Sequence, residues 1–139
     1  MIPHYLHLTN FLSYRDTAEL DLRGVHLACI SGLNGAGKSS ILDGITWALF
    51  GESRAGSDDN VVNRIAAGNG KAAEVSFVFD LEGAVYRVIR RKAVGKTMQL
   101  ELHVRDEAEG QVRWRTLTDS RIRDTQRAIE SLLSMSSDA

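Results

Sequence analysis

Gly32-Leu33-Asn34-Gly35-Ala36-Gly37-Lys38-Ser39 satisfies the pattern G-x-x-x-x-G-K-[ST]. Each fixed position has a physical reason. The glycines let the backbone wrap an anion, so that consecutive N–H groups point inward. Lys38 brings a compact positive charge to the β- and γ-phosphates. The Ser39 hydroxyl is a hard oxygen ligand for Mg²⁺. A helix that starts here turns the positive end of its dipole toward the phosphates. Such a pattern arises by chance in roughly one chain of this length in a few hundred, and its surroundings make chance less plausible still. Val25 to Ser31 before it is apolar almost throughout, as a strand buried on both faces would be. After it, an amphipathic helix is predicted from about Lys38 to Phe50, stopped by Gly51. The expected ligand is ATP with Mg²⁺. The binding residues are Asn34, Gly35, Ala36, Gly37, Lys38, Ser39 and Ser40, with Lys38 also the candidate catalytic residue and Ser39 the metal ligand.

Outward from the loop, His4 to Thr9 and Thr17 to Leu22 read as short strands around the turn-like Asn10 to Asp16. Glu52 to Gly70 is polar and glycine-containing, a loop with one helical turn near Asn60 to Ala66. Lys71 to Leu81, Ala84 to Ala93, Thr97 to Asp106 and Gln111 to Thr116 read as an antiparallel meander, with Glu82-Gly83 as a tight turn. Asp119 to Met135 reads as a helix. Ile122, Ile129, Leu132 and Leu133 share one face, and Asp119 or Ser120 is placed to cap its start.

The composition is that of an ordered globular chain. Of 139 residues, 43% are hydrophobic and 25% charged, enough for one domain with a modest core. A net charge of −1 gives no overall pull toward nucleic acid or membrane. The single cysteine, Cys29, excludes an internal disulfide and a cysteine metal cluster, and points to a reducing, cytoplasmic setting. Met1-Ile2-Pro3-His4-Tyr5 lacks the basic start and apolar core of a signal peptide. His4, His7, His26 and His103 show no ligand spacing.

Arg87, Arg90, Arg91, Lys92 and Lys96 form the one basic cluster. Strand alternation divides Arg87 and Arg91 from Arg90 and Lys92, so they cannot all face one ligand. A subset could meet duplex phosphates, but a solvated hairpin is the commoner explanation of such a cluster.

Several segments together resemble the N-terminal head of the SbcC-type DNA-repair ATPases, relatives of the structural-maintenance-of-chromosomes proteins in the ABC-type ATPase class. They are Leu8-Thr9-Asn10-Phe11-Leu12-Ser13-Tyr14, the loop from Gly32 to Ser40, the tract Ile41 to Glu52, and Tyr86-Arg87-Val88-Ile89-Arg90-Arg91. Relatives often carry a basic residue between the phenylalanine and serine of the first motif. Here that position is Leu12, with Arg15 nearby. The resemblance implies an α/β P-loop NTPase of ABC-ATPase type, the N-terminal half of a head, with an antiparallel meander and part of an α/β core. It implies that residues 1–139 are a single partial head. The C-terminal half, the coiled coil, the L-S-G-G-type signature and the catalytic glutamate would lie elsewhere. It further implies ATP clamped between two heads of a homodimer, a partner nuclease of the SbcD type, and DNA in the full complex, with no membrane. It puts Asn34 near the γ-phosphate. Arg64 is a candidate for the nucleotide or the head interface, and a solvated loop arginine explains it at least as well. Half a head exposes surface meant for its other half, which predicts self-association.

Two other readings stay open. The chain could be a complete small P-loop NTPase or kinase in which Asp80, ending Val75 to Phe79 with Glu82 beyond, supports Mg²⁺. No guanine-reading N-K-x-D accompanies it. Or it could be an interaction module with a silent phosphate loop.

Overall fold

The computed structural model describes residues 1–24, 36–53 and 55–135, with residues 36–40 and 135 described by backbone alone. Six strands form one sheet: β1 (Ile2–Thr9), β2 (Thr17–Asp21), β3 (Ala73–Leu81), β4 (Ala84–Lys92), β5 (Gln99–Ala108) and β6 (Gln111–Thr116). Their order is β2-β1-β3-β4-β5-β6, and every neighbouring pair is antiparallel. Among the described residues the α-helices are α1 (Ala36–Phe50), the short α2 (Arg64–Gly68) and α3 (Ile122–Met135).

Period-two alternation makes this sheet one-sided. Leu8, Val75 and Leu100 lie in one cross-strand row with Arg90, and Leu6, Phe77, Val88 and Leu102 form the next. All of these are buried. The helices α1 and α3 cover this face. The other face carries the row Thr17, Thr9, Glu74, Arg91 and Gln99. The β3–β4 turn forms as expected: Glu82 and Gly83 take φ of 51° and 85°, the left-handed pair that matches strand twist in a two-residue hairpin.

Some boundaries move. The helix α1 starts at Ala36, two residues before the expected Lys38, and β5 runs from Gln99 to Ala108 rather than from Thr97 to Asp106. Between α1 and β3 there are two short helical segments rather than one, a 3₁₀ turn (Asp58–Val61) and α2. Asn63 nucleates α2 by accepting the N–H groups of Ile65 (3.1 Å) and Ala66 (3.3 Å). The helix α3 begins at Ile122, and the side chain that ties its entrance is Thr125. The buried Thr125 hydroxyl accepts from the Asp119 N–H at 3.0 Å. Its apolar face is as predicted, with Ile129 and Leu133 buried.

The expectation of an amphipathic α1 does not hold. Asp43, Gly44, Ile45, Trp47, Ala48 and Leu49 are all buried, which covers the helix around most of its circumference. A helix enclosed in this way belongs to the centre of a domain. The expected strand Val25 to Ser31 lies outside the described residues. Among the described residues, no helix is long and apolar enough to cross a membrane.

Candidate nucleotide-binding site

The start of α1 is the frame of the candidate site. Ala36, Gly37, Lys38, Ser39 and Ser40 form its first turn and beyond, while Gly32, Leu33, Asn34 and Gly35 lie outside the described residues. The first four N–H groups of any helix have no partner within it. Here they belong to residues 36–39, and no acidic side chain occupies the first turn. Such a helix start offers donors and the positive end of its dipole to an anion. That donor set suits phosphate.

The rest of α1 is anchored so that this end is fixed. At its middle, Gly44 packs directly on Leu8 and Leu6 of β1. Trp47 is fully buried, its ring 5.4 Å from that of Phe11, and its indole N–H donates to the Asp58 carboxylate at 3.2 Å. At its end, Gly51 takes φ 72° and donates to the Trp47 carbonyl at 2.8 Å, a left-handed stop. The last carbonyls then meet side chains from elsewhere. Arg90 of β4 donates Nε–H to the Ala48 carbonyl at 3.2 Å, and Gln126 of α3 donates to that of Leu49 at 2.8 Å.

The segment Asn10 to Tyr14 lies beside this helix. Phe11 pairs with Val62 in an isolated bridge and is fully buried. Asn10, also buried, adopts φ 50° and works in two directions. Its side-chain oxygen accepts the Asp16 N–H at 2.9 Å, and its amide donates to the Ala72 carbonyl at 3.2 Å. Asn63 binds the same turn, donating its backbone N–H to Asn10 (2.8 Å) and its side-chain amide to Leu12 (2.9 Å). Leu12 has φ 51° and half-buried packing, while Arg15 is exposed. The structure thus joins the first motif to the segment 58–63 and seats both against α1.

Other candidates sit apart from that frame. Asp80, the penultimate residue of β3, lies opposite Val85, and its carboxylate accepts the Gly83 N–H at 3.2 Å within the hairpin turn. Arg64 opens α2 and lines a shallow hollow of about 500 Å³ with Ala55, Asp59, Asn60, Val62 and Ala67.

The basic cluster divides as alternation predicts. On the open face, Arg87 lies 4.4 Å over the Trp114 ring and donates to His103 Nδ1 at 3.2 Å. Burial, and then the Arg87 charge, hold the His103 imidazole below its usual pKa, which favours the neutral form that accepts this bond. Lys92 on the other face binds the Asp59 carboxylate at 3.0 Å. Arg90 is only 3% exposed, and burial pushes its pKa down to about 10. Sequence reasoning grouped Arg90 with solvent-facing charges. Only its place on the inward side of β4 hinted otherwise, and nothing local pointed to Gln126 as its companion. Among the described residues, no three His, Cys, Asp or Glu side chains gather as a metal site.

Comparison with known proteins matches residues 5–138 to the AAA domain family. The SbcC subunit of the SbcCD nuclease of Deinococcus radiodurans is 30% identical over 141 residues, covering 99% of this chain and 15% of that protein. A DNA double-strand break repair Rad50 ATPase of Thermoplasma acidophilum is 33% identical over 120 residues, covering 86% and 13%. The SbcC subunit of the Vibrio cholerae SbcCD nuclease is 40% identical over 97 residues, covering 66% and 9%. The chain spans about 15% or less of the length of these relatives. The resemblance to SbcC-type heads and the α/β phosphate-loop class expected from the sequence are both borne out.

Proposed function

The chain belongs to the AAA domain family, and from that membership we propose that it is the nucleotide-binding part of an SbcC-like ATPase of DNA double-strand-break repair. ATP with Mg²⁺ is the ligand, held by the segment from Gly32 to Ser39. One observation carries the reading: α1 begins among Ala36, Gly37, Lys38 and Ser39, with no acid in its first turn, and its far end is anchored by side chains from two other elements.

In this reading the backbone of Asn34, Gly35, Ala36 and Gly37 cradles the phosphates and Ser40 extends the cradle. The Lys38 ammonium draws charge from the β- and γ-phosphates, and the Ser39 hydroxyl ligates the metal. Bound Mg²⁺ neutralises charge that develops on the phosphate oxygens. The chain is a single partial head in the cytoplasm. Turnover awaits a C-terminal half, which would bring a signature motif and catalytic glutamate, and a second head in an ATP-bridged homodimer. An SbcD-type nuclease and DNA are the partners of the complete assembly. The three relatives carry related roles in their names, two as a nuclease subunit and one as a double-strand break repair ATPase.

The bond from the Gly83 N–H to Asp80 gives that acid a role in the hairpin turn and weakens the stand-alone enzyme reading. ATP turnover by the purified 139-residue chain tests the choice. The half-head reading predicts Mg-ATP binding without turnover. Robust turnover lost in Asp80→Asn would replace it with the stand-alone reading.

A further inference from the structure

The C-terminal end of α1 is closed by a buried clamp. Arg90 donates Nε–H to the Ala48 carbonyl (3.2 Å), Nη1–H to the Met98 sulfur (3.0 Å) and Nη2–H to the Gln126 side-chain oxygen. Gln126 in turn donates to the Leu49 carbonyl at 2.8 Å. Gly51 faces the guanidinium so closely that a Cβ there would lie 3.0 Å from Nη1. Three elements far apart in sequence, α1, β4 and α3, therefore meet at one cation.

This is a costly way to end a helix. Gly51 already provides a left-handed stop, and solvent would satisfy an exposed terminus. Burying a guanidinium among neutral acceptors costs desolvation that no ion pair among the described residues offsets, and burial pulls its pKa down. The Asp58 charge opposes that shift, and the negative end of the α1 dipole favours a cation here. What the arrangement supplies is orientation. Two adjacent carbonyls are each bonded by a different element, and the two donors are bonded to each other. A planar guanidinium and a planar amide fix that geometry in a way one point charge cannot.

The helix between clamp and phosphate loop is 15 residues, a rod of about 22 Å. Enclosed along its middle, it cannot bend at one end without loading the other. We infer that Arg90 and Gln126 are positioning residues for the nucleotide, and that Gln126 passes occupancy at the start of α1 to α3. This inference rests on the reading that the loop from Gly32 to Ser39 takes Mg-ATP. By thermodynamic reciprocity, restraint of α3 then tunes nucleotide affinity.

Hydrogen exchange of α3 amides in the 139-residue chain tests it, measured with and without Mg²⁺ and the slowly hydrolysed analogue ATPγS. In the wild type the analogue should slow exchange across α3, on the order of fivefold. In Gln126→Ala the analogue should still bind, with affinity lowered severalfold, and the nucleotide-dependent slowing should vanish. A merely structural role would raise α3 exchange equally in both states and leave the difference intact. Persistence of the slowing in Gln126→Ala overturns the inference, as does its absence in a wild type that binds the analogue. If wild type does not bind ATPγS at all, the underlying nucleotide reading fails as well, a result separately visible in the binding isotherm.

Discussion

Gly44 of α1 lies so close to Leu8 of β1 that a Cβ at position 44 would stand 2.7 Å from Leu8 Cδ2. Leu6 and Phe11 complete the contact at 3.7 and 3.8 Å. Glycine here sets how near the phosphate-loop helix approaches the sheet. Leu8 is fully buried and has little room to yield. Gly44→Ala should therefore destabilise the chain by about 1–2 kcal/mol, the overpacking cost less the helix propensity gained. Denaturant unfolding measures this. The double variant Gly44→Ala/Leu8→Val should recover part of the loss, a non-additivity expected only if the two sites collide.

Asn10 ties the first motif together through bonds to Asp16 and Ala72 while holding φ 50°. Asn10→Ala removes the side-chain partners of the Asp16 N–H and the Ala72 carbonyl and places alanine in a left-handed conformation. The expected cost is about 2–4 kcal/mol, and Asn10→Gly should cost about 1 kcal/mol less because it removes only the bonds. Equal losses in the two variants, by thermal unfolding, would show that backbone strain contributes nothing.

These two residues also mark where sequence reading reached and stopped. Local chemistry is legible: the Glu82-Gly83 hairpin, the period-two strands and the Gly51 stop follow from preferences within a few residues. The motif around Asn10 was recognisable, yet its bonding partners lie 6, 53 and 62 residues away, where no local pattern reaches. The enclosure of α1 was missed because an apolar helix bearing Asp43, Thr46 and two glycines imitates an amphipathic one. Arg90 was misjudged for a similar reason. A cation in a run of cations reads as solvated until the helix end that it caps is known. Of the candidate site, position along the chain was legible and the anchoring of the helix was not.

The pair of Arg87 and His103 gives a pH dependence with a definite sign. His103 is 8% exposed, and its imidazole is held below the usual value by burial and then by Arg87, with Glu101 opposing. The unfolded chain therefore takes up a proton at a higher pH than the folded chain does. Stability is intact above the ordinary imidazole pKa of about 6.5 and falls as pH drops through that value toward the depressed one. His103→Asn keeps an acceptor near the Nδ1 position and cannot titrate. Urea midpoints between pH 7.5 and about pH 5 should fall less steeply in the variant than in the wild type. Parallel slopes would mean that other groups carry the acid sensitivity.

The central claim is that the start of α1 holds a nucleotide, and calorimetric titration of the 139-residue chain with Mg-ATP, beside Lys38→Ala, tests it most directly. The account predicts a saturable isotherm for the wild type. In Lys38→Ala, affinity should fall on the order of 10-fold to 100-fold, as expected for removing a charged hydrogen bond worth about 1.5–3 kcal/mol, with the unfolding midpoint unchanged. Equal affinity in the two proteins, or no binding by the wild type, would contradict it.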